Sequence, residues 1–246
     1  MAGNSIEMVS LIFPAYNEEK HVAQAVREFA SIGLIDEILV VDNNSTDRTA
    51  ELARQAGATV ILETRQGFGS ALRRGLREAK GEIIFLAEPD GTFVAGDVKK
   101  FLAYAGEFDL VLGTRTSKEL IWTGANMSWF LRMGNVAVAR MVEVLFSGCN
   151  LTDCGCTFRV IRRPALNRLG PYLTVEGSHF LPEMVMLSLL MGLKMIEIPI
   201  NYKPRIGTSK ITGTLKGTLT TGFRMIGLIL LYRLKTWLGW RPWNQG

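Results

Sequence analysis

The sequence predicts an α/β protein: a Rossmann-like, mostly parallel sheet with helices on both faces, followed by C-terminal amphipathic helices. Three observations carry this. Short apolar runs recur at residues 9–13, 38–41, 59–62 and 83–86, segments of helical spacing separate them, and polar loops rich in Asn, Asp and Gly close each run. Strand and helix alternating at this interval form right-handed βαβ units, and in such sheets ligands sit at the carboxyl ends of the strands.

Residues 9–13 form the first strand, ending in Pro14, Ala15, Tyr16, Asn17, Glu18 and Glu19 before a helix marked by Val22, Ala25, Val26 and Phe29. The second strand, 38–41, runs into Asp42-Asn43-Asn44-Ser45-Thr46-Asp47, where Ser45 or Thr46 can cap a helix over 48–56 and Asp47 favours its positive end. Residues 59–62 are a third strand, followed by a loop bearing Gly67 and Gly69 and a helix over 71–79. The central strand, 83–86, breaks abruptly into Glu88-Pro89-Asp90-Gly91-Thr92. Two carboxylates two residues apart, stiffened by Pro89, can converge on one hard divalent cation; an acidic turn is the competing account.

These loops leave strand ends on one edge, so Tyr16, Glu18, Asp42, Gly67, Gly69, Glu88 and Asp90 are expected to line one crevice. Asp42 suits hydrogen bonding to a base or ribose, and Gly67 and Gly69 allow close backbone approach to a nucleotide. No GxGxxG follows the first strand and no Walker loop is present, which argues against a dinucleotide-binding Rossmann protein.

The second half carries a strand at 110–113, ending in Thr114-Arg115-Thr116, and a long apolar segment over 122–146 that contains Arg132 and Asn135. Then come Asp153, a short strand at 160–161, a helix from Pro164, a helix over 179–191 with Glu183 in apolar company, and a last strand at 195–199. Arg205, Ser209 and Lys210 with Gly207 form a loop suited to clamping phosphate oxygens. In the tail, the apolar stretch between Arg224 and Arg233 is far shorter than the roughly 20 residues a spanning helix needs. Its basic residues, greasy face and Trp237, Trp240 and Trp243 fit a helix lying in a headgroup region; packing on the domain or in a homodimer is the alternative.

The chain of 246 residues, 48% of them hydrophobic, fills one large core or two small ones; residues 1–210 are expected to form the α/β domain and 211–246 an amphipathic segment that lies at a membrane interface or packs in a dimer. A net charge of +5 without a Lys/Arg run points to small anions or a membrane surface and away from nucleic acid. Cys149, Cys154 and Cys156 lack zinc or thioredoxin spacing and are expected to be reduced thiols, and residues 1–7 lack a signal-peptide pattern.

Taken together, FPAYNEE, VVDNNSTD, the glycine-bearing loop and EPDGT resemble the family 2 inverting glycosyltransferases of GT-A fold. Gly113 to Arg115, Arg132 with Asn135, Asp153 to Arg159, Glu183 and Arg205 to Lys210 resemble the polyprenyl-phosphate (dolichol-phosphate) hexosyltransferases within it. The resemblance implies a nucleoside-diphosphate sugar donor whose nucleoside is held by Pro14, Ala15, Tyr16, Glu18 and Asp42, with Mg²⁺ or Mn²⁺ on Glu88 and Asp90. It implies a polyprenyl phosphate acceptor held by Arg115 and Arg132, with Arg205, Ser209 and Lys210 in a loop closing over the phosphates. Asp90, Arg115 and Arg132 are thus the expected catalytic residues, and the enzyme is expected at the cytoplasmic membrane face. Glu88 stands where the family has Asp, and Thr92 where many relatives have Gln. Two alternatives stay open: a sugar-hydroxyl acceptor, for which Asp153 or Glu183 is the candidate base, and a non-catalytic nucleotide-sugar-binding protein.

Overall fold

The computed structural model describes residues 7–125, 129–146, 150–205 and 215–241. Seven strands form one sheet in the order β3-β2-β1-β4-β6-β5-β7: β1 (Val9–Ala15), β2 (Glu37–Asp42), β3 (Thr59–Leu62), β4 (Ile83–Leu86), β5 (Leu110–Thr114), β6 (Arg159–Arg162) and β7 (Met195–Pro199). All pairings are parallel except those of β6, which runs antiparallel to both β4 and β5. The chain moves outward from β1 to β3 and then returns to place β4 on the other side of β1. The carboxyl ends of β1 and β4 therefore flank the topological switch point, where open α/β sheets bind ligands.

Alternation along the strands sends successive side chains to two cores. Leu11, Phe13, Val40, Phe85 and Val111 pack on α1 (Val22–Ser31), α2 (Thr49–Gln55) and α4 (Val98–Ala105). Here Phe158 sits against Phe29, Phe85, Phe93 and Phe101, with ring centroids 4.6–6.2 Å away. On the opposite face Ile12, Leu39, Val41, Ile84 and Leu112 pack on α3 (Phe68–Glu78), α5 (Trp129–Phe146), α6 (Arg163–Leu169), α7 (Phe180–Leu190) and α8 (Leu215–Trp237). Helix α8 joins this core through Ile229 and Tyr232. No helix among the described residues is long and apolar enough to cross a membrane.

Helix α4 has no counterpart in the sequence reading, although Val98, Phe101 and Ala105 bury one face at helical spacing. Neither Ser45 nor Thr46 caps α2. The Asp47 carboxylate accepts from the Thr49 N–H at 2.9 Å, while the Ser45 hydroxyl accepts from the Asn17 N–H at 3.0 Å. Cys154 and Cys156 are free, buried thiols, and burial pushes Cys156 up to about 12; Cys149 lies outside the described residues.

Candidate active site

A cavity of ≈ 530 Å³ opens at the carboxyl ends of β1 and β4 and continues between α5 and α8. Its polar end is built by loops that hold one another. The Glu18 N–H donates to Thr49 Oγ1 at 2.7 Å and the Glu19 N–H to Asp47 Oδ2 at 3.2 Å, so the loops after β1 and β2 form one unit that presents Tyr16 and Glu18. Asn17 and Asn44 take left-handed backbone angles in these loops, which Asn tolerates better than most residues.

After β4, the Asp90 carboxylate is fixed by Thr92, whose N–H and Oγ1 donate to Asp90 Oδ1 at 3.0 and 2.6 Å. Thr157 donates to Glu88 Oε1 at 2.6 Å. Desolvation, reinforced by the neighbouring Asp90 carboxylate, pushes Glu88 up to about 7. The Arg205 guanidinium lies among the acids of this end, 3.0 Å from Asp90, 3.3 Å from Glu18 and 3.8 Å from Glu88. A cation is thus already at home between Glu88 and Asp90, and their oxygen donors suit a hard divalent ion that takes further ligands from phosphate and water. Among the described residues no third His, Cys, Asp or Glu converges with them on one point.

Pro14, Ala15, Tyr16, Glu18, Gly67, Glu88, Asp90, Arg115 and Arg205 all line the cavity as the sequence predicts. Asp42, Gly69 and Arg132 do not. Asp42 Oδ1 accepts from the Ser45 N–H at 3.1 Å, and the cavity is lined by its neighbour Asn43. The Asn43 side chain donates to the carbonyls of Glu63 and Arg65 at 3.0 and 2.8 Å and accepts from the Gly67 N–H at 2.8 Å, fastening the β3–α3 loop to the end of β2. Strand parity could have found it, because Asn43 shares the face of Leu39 and Val41, toward α3, and Asp42 does not. The close backbone approach at Gly67 and Gly69 is to the chain's own Val175 and Glu176 carbonyls, where a Cβ would collide. Arg132 lies in the first turns of α5 next to the lining residue Leu131, and Ser209 and Lys210 lie outside the described residues.

Arg115 stands near the middle of the site. Its Nε and Nη2 donate to the two oxygens of Asp153 at 2.7 and 2.9 Å, and its guanidinium lies 5.5 Å from the centre of the Tyr202 ring. Burial opposes this charge, but the Asp153 carboxylate overrides it and keeps Arg115 well above its ordinary pKa. Asp153 and Glu183 are both fully buried, neither lines the cavity, and both are engaged: Asp153 by Arg115, Glu183 by Thr174, Val175 and Tyr232. Arg159, also fully buried, donates to the carbonyls of Cys154, Cys156 and Leu181, and loss of solvation lowers it to about 10. It braces the segment that carries Asp153.

Beyond Arg115 the lining turns apolar. Leu131, Ala137 and Val138 of α5 face Leu219, Phe223 and Ile226 of α8 across the cavity. The sequence pattern gave the greasy character of both segments but not their meeting, which depends on contacts 80 or so residues apart in the chain.

The mostly parallel sheet with an acid-lined crevice at its switch point has the GT-A arrangement, and solved structures share this fold. Glucosyl-3-phosphoglycerate synthase of Mycobacterium tuberculosis, solved with Mn²⁺, UDP-glucose and glycerol 3-phosphate, superposes with a TM-score of 0.70 over 92% of this chain and 80% of that one, at 21% identity. Residues 10–170 match the family model for glycosyl transferase family 2, and the chain belongs to that family. It is 33% identical over 221 residues to an uncharacterised glycosyltransferase of M. tuberculosis, covering 89% of this chain and 95% of the relative. It is 27% identical over 213 residues to a dolichyl-phosphate hexose transferase of Haloferax volcanii, covering 86% and 90%.

Proposed function

We propose that this glycosyltransferase moves a hexose from a nucleoside-diphosphate sugar to a polyprenyl phosphate at a membrane surface. The observation that carries the reading is the two-ended cavity: carboxylates and strand-end loops at one end, the apolar walls of α5 and α8 at the other, and Arg115 between them. The donor nucleotide takes the polar end and the acceptor chain the apolar one, so the acceptor phosphate meets the anomeric carbon near Arg115. The similarity to a dolichyl-phosphate hexose transferase supports the same acceptor class.

In the reaction an oxygen of the acceptor phosphate attacks the anomeric carbon in line, the bond from that carbon to the diphosphate oxygen breaks, and the configuration inverts. A phosphate monoester is ionised near neutral pH and needs no strong base, which fits a site whose two candidate bases are buried in structural bonds. Glu88 and Asp90 are the residues that would hold Mg²⁺ or Mn²⁺, and such an ion would supply charge neutralisation for the departing diphosphate. Arg115, kept charged and oriented by Asp153, stabilises the acceptor phosphate, and Arg205, 3.0 Å from Asp90, is the cation placed nearest the diphosphate. Arg132, beside the lining residue Leu131 though not itself on the lining, is the second candidate for the acceptor phosphate.

Membrane attachment rests on α8. Leu219, Phe223, Leu230, Leu234 and Trp237 recur at helical spacing and stand in solvent, Phe223 71% and Trp237 69% exposed, and Arg233 lies over the Trp237 ring at 5.0 Å. An apolar stripe with basic neighbours suits a helix lying in anionic headgroups.

The test supplies radiolabelled UDP- and GDP-sugars with Mn²⁺ and a short polyprenyl phosphate, then extracts with organic solvent. Label in the organic phase supports the reading and identifies the donor. Soluble product alone, or donor binding without turnover, contradicts it.

A further inference from the structure

The Glu183 carboxylate has no part in the chemistry above, yet four donors converge on it. Oε1 accepts from the Thr174 Oγ1 at 2.8 Å and from the Tyr232 hydroxyl of α8 at 2.8 Å; Oε2 accepts from the Thr174 and Val175 N–H groups at 3.1 and 3.0 Å. Residues 174–176 are thereby set in place. The next carbonyl, that of Glu176, accepts from the Gly69 and Ser70 N–H groups at the start of α3, at 2.8 and 3.2 Å, and packs where Gly67 and Gly69 leave no room for a Cβ. The corner so held contains Gln66, Gly67 and Phe68, which line the polar end of the cavity and are fastened from the other side by Asn43.

We infer that Glu183 is a positioning residue for the nucleotide-binding loop at 66–68, and that Tyr232 makes the surface helix α8 part of that positioning. The inference rests on the reading that a nucleotide takes the polar end. Each link has a physical reason. A buried carboxylate must be satisfied by donors, and its partners here are backbone N–H groups of one loop and one hydroxyl from α8. Removing the hydroxyl leaves Glu183 one donor short in a site without water contact, so the loop relaxes toward a geometry that satisfies the carboxylate and releases the Glu176 carbonyl from α3. The same helix lines the acceptor end through Leu219, Phe223 and Ile226. The contact thus ties the wall of the lipid groove to the cradle of the donor.

The experiment is calorimetric binding of UDP and of GDP, each with Mn²⁺, and of Mn²⁺ alone, to wild type, Tyr232→Phe and Thr174→Val. Both substitutions keep side-chain volume and remove one hydrogen bond to Glu183. The expected result is nucleotide affinity weakened about 5- to 10-fold in both variants, with affinity for Mn²⁺ alone within about twofold of wild type, because Glu88 and Asp90 hang from β4 and not from this loop. Unchanged nucleotide affinity in both variants, or a parallel loss of Mn²⁺ affinity, overturns the inference and leaves Glu183 a strut of the fold. A wild type that binds neither nucleotide overturns the donor reading and this inference with it.

Discussion

The polar end of the cavity and its apolar end are made in different ways. At the polar end short loops leave the strand ends, and the functional groups have dedicated partners: Thr92 on Asp90, Thr157 on Glu88, Asp153 on Arg115, and Asn43 on the Gly67 N–H. At the apolar end the walls are faces of two helices that touch the rest of the protein along one side only, and Trp129 and Trp237 at their outer reaches are 68% and 69% exposed. The side chains of the first end are held by one another, which is the arrangement that electrostatic stabilisation of the proposed leaving diphosphate would use. On the proposed reading, the second end takes an acceptor that supplies its own apolar bulk.

The contrast is sharpest in what substitutions remove. Asp90→Asn deletes charge at the polar end while keeping shape, and transfer is expected to fall at least about 10³-fold with the thermal midpoint nearly unchanged; a loss below tenfold would assign the cation site elsewhere. Arg115→Ala strips the fully buried Asp153 of its counter-charge. Folding stability is expected to drop by about 3–5 kcal/mol along with transfer, and Arg115→Met combined with Asp153→Leu is expected to recover stability without activity, read by denaturant unfolding and the transfer assay. Recovery of both in the double variant would reduce Arg115 to a structural group.

Phe223→Ser works on the other end alone. Removing one buried-chain contact is expected to lower kcat/KM for a prenyl acceptor roughly 10- to 100-fold while the donor KM stays put. A matching rise in donor KM would merge the two ends into one. The smallest effect separates them by pH. Because Glu88 is raised to about 7, it is protonated below that value, and a divalent ion must displace the proton. Mn²⁺ affinity is therefore expected to weaken by up to about tenfold per pH unit as pH falls from 7 to 5.5 and to level off above 7, measured by titration calorimetry. Prenyl-acceptor binding should not follow that curve.

The same division governs what the sequence revealed. Strands β1 to β5 were readable because each is an apolar run stopped by turn residues, and the loops after β1 and β4 announced themselves through acids and prolines at strand ends. Direction was not: Arg159–Arg162 gives a four-residue strand with nothing local to say that it runs against its neighbours. Asp42 and Asn43 are equally polar, and only the two-residue alternation from Leu39 decides which faces α3. Glu183 shows the limit most plainly. An acid inside an apolar helix is legible as buried, but whether it is a base or a brace depends on its partners, and Tyr232 lies 49 residues further along the chain. The groove between α5 and α8 is of the same kind, a contact between distant helices that no local pattern encodes.

The most direct test of one cavity with two unlike ends is the wild-type enzyme's preference between acceptors that share a phosphate and differ in their tails. With the active donor and Mn²⁺ held constant, kcat/KM for farnesyl phosphate is to be compared with that for glycerol 3-phosphate. Burial of only three or four CH₂ groups between α5 and α8 predicts a preference of about 60- to 200-fold for the prenyl acceptor. Equal rates, or a preference for glycerol 3-phosphate, would mean that the apolar walls do not hold the acceptor.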